Sequence, residues 1–241
     1  MHSERSELIK LFSKYEPSAW LIDKSIELGA VRAKSLGKKL NKLISYPSFN
    51  ITNGQKTQLA PTAITYLDAN WPKQLFDLDN EMPLVLWLSG ARQLTFLDHQ
   101  AVAVVGSKLP SLSVVKSTGQ FLLNALTDCS CILSDNSIGI NTLAMQLGIK
   151  AGKTNFSVLA GGLDQIYPKV NQDLLRAIPK SGALISEYPL GVPVTKARLI
   201  DRNRVIAALS SLVIAIEPTA RTGASNILSW ADQLGREVIV V

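Results

Sequence analysis

The sequence predicts an α/β fold, a doubly wound parallel sheet with a small helical domain in front of it. Three observations carry that reading. Ala101–Val105 is an unbroken apolar run that ends at Gly106, the pattern of a strand buried on both faces. Strand-like and helix-like segments then alternate strictly to the end of the chain. Small or polar residues follow the strand-like runs, as Gly106-Ser107-Lys108, Ser134-Asp135, Gly161-Gly162, Ser186-Glu187 and Glu217. In an open parallel sheet those positions share one rim, where ligands bind.

The elements follow in order. Residues 4–44 read as three short helices. Leu8, Ile9, Leu11 and Phe12 have helical spacing in the first, and Pro17-Ser18 opens a second that Gly29 stops. Leu36, Leu40, Leu43 and Ile44 form the apolar face of the third. Residues 45–63 hold Pro47, Asn53, Gly54 and Pro61 and read as a linker. The expected division is therefore a helical domain over 1–60 and a sheet domain over 61–241. A Trp-Pro turn leads to a strand at 84–88. Further strands are expected at 101–105, 130–133, 156–160, 183–186, 212–216 and 237–241. Helices are expected at 111–127, 138–151, 170–179, 202–209 and 224–234.

Composition narrows the function classes. Of 241 residues 46% are hydrophobic, enough for a sizeable core, which argues against global disorder. The net charge is +6 and it is uneven. Residues 1–60 carry ten Lys/Arg against five Asp/Glu, whereas residues 61–241 carry fifteen against fourteen. A basic segment beside a near-neutral one suits a polyanion partner, or simply a solvated helical surface. Cys129 and Cys131, in a C-x-C pair with no other cysteine, make neither a zinc site nor a good disulfide and read as small core residues. The apolar runs fall short of a membrane span and no leader opens the chain, so the expected location is the cytoplasm.

Several motifs are set aside. Gly148–Thr154, GIKAGKT, has three residues between its glycines where a Walker A loop has four, and it precedes a strand instead of a helix. The dinucleotide fingerprint G-x-G-x-x-G is missing after the first parallel strand. His2 and His99 sit at no strand end, so no nucleophile-histidine set assembles. No metal and no cofactor are expected. The rim acids Asp164, Glu187 and Glu217 could serve a hydrolase, or bind loop N–H groups and arginines. Lys196, Arg198, Arg202 and Arg204 form the densest basic cluster, with Asn203 inside it, and Asp201 reads as the cap of the helix at 202–209.

Together these residues resemble a family. VAVVGSK, AGGLDQIYPKVNQDL, ISEYPLG and DRNRVIAALS, with WPKQL and MPLVLWLSG upstream, are similar in kind and order to the DNA-processing protein A family, DprA or Smf. The likeness covers about residues 64–241. It implies an extended Rossmann-like domain behind a small helical domain of the SAM or helix-hairpin-helix kind. It also implies a homodimer that binds single-stranded DNA in natural transformation and helps to load the RecA recombinase, without catalysis. On that resemblance Gly106, Ser107 and Lys108 grip a phosphate, with Lys108 in place of the family's arginine. Gly161, Gly162, Tyr167, Lys169 and Asn171 match the second motif, and Arg202, Asn203 and Arg204 the third. The stretch Ser134–Met145 departs from the family: Asp135 replaces a glycine, Asn141 an aspartate and Met145 a histidine. An acid at position 135 is expected to repel phosphate. On that resemblance, the winged-helix module that many members carry is not expected within this sequence. Two other readings remain: a nucleotide-processing hydrolase of the lysine-decarboxylase-like group using Glu187 and Glu217, and an interaction protein that has lost DNA binding.

Overall fold

The computed structural model describes residues 62–66, 68–92, 94–97, 101–125, 129 and 131–241. The helices expected within 4–44, and with them the domain boundary near residue 60, lie outside the described residues. Among the described residues the strands are β1 (Thr62–Thr65), β2 (Val85–Gly90), β3 (Ala101–Gly106), β4 (Cys131–Ser134), β5 (Thr154–Leu159), β6 (Ala183–Ser186), β7 (Leu212–Ile216) and β8 (Glu237–Val240). The α-helices are α1 (Leu112–Ala125), α2 (Ile140–Lys150), α3 (Gln172–Ala177), α4 (Lys196–Leu209) and α5 (Gly223–Gln233).

The eight strands form one sheet in the order β1-β2-β6-β5-β4-β3-β7-β8. From β6 to β8 every pairing is parallel, as the alternation of strands and helices predicts. β2 joins β6 antiparallel, and β1 joins β2 antiparallel. That antiparallel flank was not expected. Four residues, TAIT, are too short to show a period, and β1 exists because β2 offers it a register from Thr62 opposite Leu88 to Thr65 opposite Val85.

Successive residues of β3 and β7 alternate between two covered layers, which is why those strands read as continuous apolar runs. Ala101, Ala103 and Val105 of β3 face one layer with Val205–Leu209 of α4 and Ala224, Ile227 and Ala231 of α5. Val102 and Val104 face the other, with Leu122 of α1, Ile140, Ala144 and Met145 of α2, and Leu174 and Leu175 of α3. Met145, where the family resemblance leads one to expect histidine, is fully buried in that second layer. Cys129 and Cys131 are buried as thiols, and burial pushes the Cys131 thiol up to about 12.

The chain winds from β3 through β4 and β5 to β6 on one side. It then crosses back along α4 to β7 on the other side of β3. The order therefore reverses between β3 and β7, and a crevice opens at their carboxyl ends. α4 begins at Lys196, six residues before the expected start. Thr195 caps it, accepting from the Arg198 N–H at 3.3 Å, so Asp201 lies inside the helix and is not its cap.

Candidate nucleic-acid interface

A cavity of about 500 Å³ occupies the crevice between β3 and β7. The loop Gly106–Leu109 after β3 forms one wall, and Thr219, Thr222, Gly223 and Ala224 after β7 form another. Lys196, Leu199, Ile200 and Arg202 reach it from α4, and Asp135, Ser137 and Asn141 close the floor. α2, α4 and α5 all begin at this rim, so three partial positive charges point at it. Among the described residues, three cations and one carboxylate line it: Lys108, Lys196, Arg202 and Asp135.

The Gly106 turn is present, and the amides of Gly106 and Ser107 are bonded within the protein. Gly106 N–H donates to Asn141 Oδ1 at 3.1 Å, and Ser107 N–H donates to Ile216 O at 3.1 Å. Ser107 Oγ accepts from the Leu109 N–H at 3.2 Å, and Ser107 O accepts from the Ile140 N–H. Glycine stands at 106 because a Cβ there would lie 2.2 Å from Ile216 O. It permits β7 and α2 to come close, and offers no donor to a ligand. Lys108 is exposed at the mouth.

The doubled glycine also serves packing. Gly161 and Gly162 are buried, and Gly162 N–H donates to Val192 O at 2.9 Å. A Cβ on Gly162 would meet Pro189 O at 2.5 Å, so the approaching backbone is the loop after β6. Asp164 steadies that loop by accepting from Gly191 N–H at 2.9 Å. Lys169 is exposed, whereas Asn171 is buried, its amide donating to Asn136 O at 2.9 Å and Thr142 Oγ1 at 2.7 Å. Neither glycine lines the cavity, nor does Lys169 or Asn171, although Tyr167 of the same motif does.

The three residues of the third motif separate. Arg202 lines the cavity, and its Nη2 lies 2.7 Å from Asp135 Oδ2, both side chains almost fully buried. Asn203 turns to α5, donating to Asn226 Oδ1 at 3.0 Å and to Gly223 O at 3.4 Å. Arg204 lies outside the cavity. It makes a two-pronged pair with Glu187 at 2.6 Å on each prong, and donates to Glu81 O and Asp201 O at 2.7 Å. Burial works against its charge, but Glu187 more than offsets this and pushes the Arg204 guanidinium up. Of the third motif, only Arg202 thus reaches the cavity beside Gly106.

Asp135 does not stand as a bare acid in the cavity. Burial alone would push its carboxyl up. The Arg202 guanidinium opposes that, joined by Ser137 through its hydroxyl at 2.6 Å and its N–H at 2.8 Å, and by the Asn141 amide at 2.6 Å. The net effect holds Asp135 below its usual range. Its cost to phosphate is therefore indirect, since it neutralises Arg202. Glu187 and Glu217, the two carboxylates a hydrolase would need, do not line the cavity. Thr219, Thr222 and Gly223 escaped the sequence reading, and Lys196 entered it only as part of the basic cluster. The available signals were the helix caps Thr195 and Thr222, each followed by a first turn at the rim.

The family model for DNA recombination-mediator protein A matches residues 62–241. The chain belongs to that family. Among DNA recombination-mediator A relatives, the DNA processing protein DprA of Bacillus subtilis is 30% identical over 177 residues, 71% of this chain and 56% of its own length. Protein Smf of Escherichia coli is 30% identical over 172 residues, 71% of this chain and 45% of its own. The chain thus spans about half the length of the curated relatives it matches. The solved DprA of Streptococcus pneumoniae superposes with a TM-score of 0.69 at 31% identity, covering 74% of this chain and 62% of that one. DNA processing protein A of Helicobacter pylori, described for its single-stranded DNA binding mode, shares the fold at TM-score 0.67 and 22% identity, covering 77% and 82%. No helix among the described residues is long and apolar enough to cross a membrane.

Proposed function

We propose that this chain binds single-stranded DNA along the β3/β7 crevice without transforming it, and acts as a homodimer that shelters incoming strands in natural transformation and passes them to the RecA recombinase. The observation that carries the binding step is the cavity itself. It sits at the sheet's point of reversal, three helix N-termini open on it, and the carboxylate on its floor is already paired. Lys108 and Lys196 hold strand phosphates at the mouth and Arg202 faces them from the floor. Ser107, Gly106, Gly161, Gly162 and Asn171 shape the walls and their supports. Lys169 extends the basic track outside the cavity. Asn203 and Arg204 hold α4 in place, with no direct contact to the strand. Family membership supports the DNA role, and the single-stranded DNA binding of the Helicobacter pylori neighbour supports the single-stranded form. A cytoplasmic location follows from that role.

The test is a binding curve with single-stranded and duplex oligonucleotides of equal length across a salt series. About three neutralised phosphates give a log–log slope of roughly −2 on a single strand. A slope near zero, or preference for duplex, overturns the reading. The hydrolase alternative has lost both of its carboxylates from the cavity, and release of free base from nucleoside monophosphates is the result that would restore it. Capture of RecA by a chain that binds no strand would favour the interaction-protein reading.

A further inference from the structure

The carboxylate on the cavity floor sits where a ligand's anion would. Four donors converge on it, two to each oxygen. Asp135 Oδ1 accepts from the Ser137 N–H at 2.8 Å and from Asn141 Nδ2 at 2.6 Å. Asp135 Oδ2 accepts from the Ser137 hydroxyl at 2.6 Å and from Arg202 Nη2 at 2.7 Å. Ser137, Asn141 and Arg202 all line the cavity, and so does Asp135 itself. The donors are fixed from separate elements. Asn141 belongs to α2, and its Oδ1 accepts from the Gly106 N–H at 3.1 Å. Arg202 belongs to α4, and its Nη1 donates to Val158 O of β5 at 3.4 Å. The Arg202 and Asp135 side chains are only 5% and 7% exposed. A guanidinium N–H, a backbone N–H, a hydroxyl and a side-chain amide, aimed at two oxygens, make a donor set of the kind that holds a phosphate. The chain has placed its own acid in that set.

We infer that the floor of this cavity is an oxyanion site occupied by the protein's own Asp135, which stands in for a ligand phosphate and so decides what the cavity accepts. The donors suit a phosphate, and with Asp135 in place they are closed to one. A phosphate brought to the floor would have to take them from a carboxylate bonded through both oxygens, and against its charge. The mouth is different. Lys108 and Lys196 line it, and both are exposed. A free phosphate or a nucleotide monoester meets only those two exposed lysines, each worth little alone. A strand engages both through separate diesters. Asp135 is thus a specificity-determining residue that favours a strand over a single phosphate. That preference deepens the nucleic-acid reading of the cavity and rests on it, whereas the occupied oxyanion site does not.

Two substitutions separate occupancy from charge. Asp135→Ala vacates the place, whereas Asp135→Asn removes the charge and leaves the place filled. Binding of inorganic phosphate and of deoxycytidine monophosphate is read by calorimetry for the wild type and both variants, beside a single-stranded oligonucleotide. Melting temperatures are taken in phosphate and in sodium chloride of equal ionic strength. Asp135→Ala should bind both small probes on the order of tenfold more tightly than the wild type, and phosphate should raise its melting temperature where chloride does not. Asp135→Asn should gain less. A purely structural ion pair would lower both melts and leave phosphate affinity where it was, and that result overturns the proposal. Equal gains in the two variants overturn it as well, because charge alone would then close the floor. Should Asp135→Ala be unfolded without added anion, its far-ultraviolet circular dichroism is followed as phosphate is titrated in: recovery supports the site, and no recovery refutes it. If the wild type binds the oligonucleotide but Asp135→Ala gains no phosphate affinity, the occupied site is refuted while the strand-binding reading stands. If Asp135→Ala gains phosphate affinity but the wild type ignores the oligonucleotide, the site stands and the strand-binding reading falls.

Discussion

Asp135 shows how a single acid can sit in an anion site without poisoning it. Its two oxygens accept from Arg202, Ser137 and Asn141, so its charge is consumed locally. Because its folded titration lies below the unfolded one, the stability it lends is fully present above about pH 4 and is lost as the pH falls through the folded value. Asp135→Asn should destabilise the protein at neutral pH by about 3 kcal/mol, since it leaves a buried guanidinium uncompensated. It should also flatten the acid limb of the stability profile, as urea midpoints between pH 2 and pH 7 would show. An unchanged acid limb would mean that other carboxylates dominate acid unfolding. Arg204 is the second residue-scale case. Arg204→Ala should cost about 3 to 5 kcal/mol by stranding Glu187. In a thermal melt this appears as a large drop, while phosphate affinity of the folded fraction is retained. Loss of affinity with an unchanged melt would instead make Arg204 a ligand contact.

At the scale of elements, β3 is what the site hangs from, and Gly106 is where it could be undone. A methyl at 106 would press on Ile216 O at 2.2 Å and on Ile140 Cβ at 3.0 Å, forcing apart β3, β7 and α2 together. Gly106→Ala should therefore cost about 1 to 3 kcal/mol and displace the loop that carries Lys108. Calorimetry and the salt slope would report both effects, the slope falling in magnitude as Lys108 moves off the strand. A variant as stable as the parent would mean that β7 yields easily. α4 makes a related point. Its first turn is exposed and carries Lys196 to the cavity, while its second half, Val205–Leu209, is buried in the core. One helix thereby joins the sheet's interior to the charged mouth.

For the molecule as a whole, the parallel sheet was legible because β3 and β7 read as apolar runs closed by small or polar residues, while β5, TNFSVL, was legible only from Phe156 because Thr154 and Asn155 are polar yet buried. The antiparallel flank was not, since TAIT has no pattern of its own and takes its conformation from β2. Half of the site was legible in the same way. The strand-end rule located Gly106–Lys108 and the basic cluster located Arg202. What sequence could not reveal is how Arg202, Asn203 and Arg204 divide. Their partners Asp135, Asn226 and Glu187 lie 67, 23 and 17 residues away, and only the closed fold decides which side chain meets which. The same holds for the amides. Those of Gly106 and Ser107 look available along the chain, and become occupied only when Asn141 and Ile216 arrive from other elements.

That three-way division has a practical edge. Three adjacent side chains bolt the helix to the cavity floor, to α5 and to the β6 end in turn, so an alanine scan scored by retention of a strand alone would flag all three as equally vital. Scored by melting and by the affinity of the folded fraction together, the scan would sort them: losing the first or the third strands a buried carboxylate and lowers the melt, but only losing the first should also change what the cavity holds.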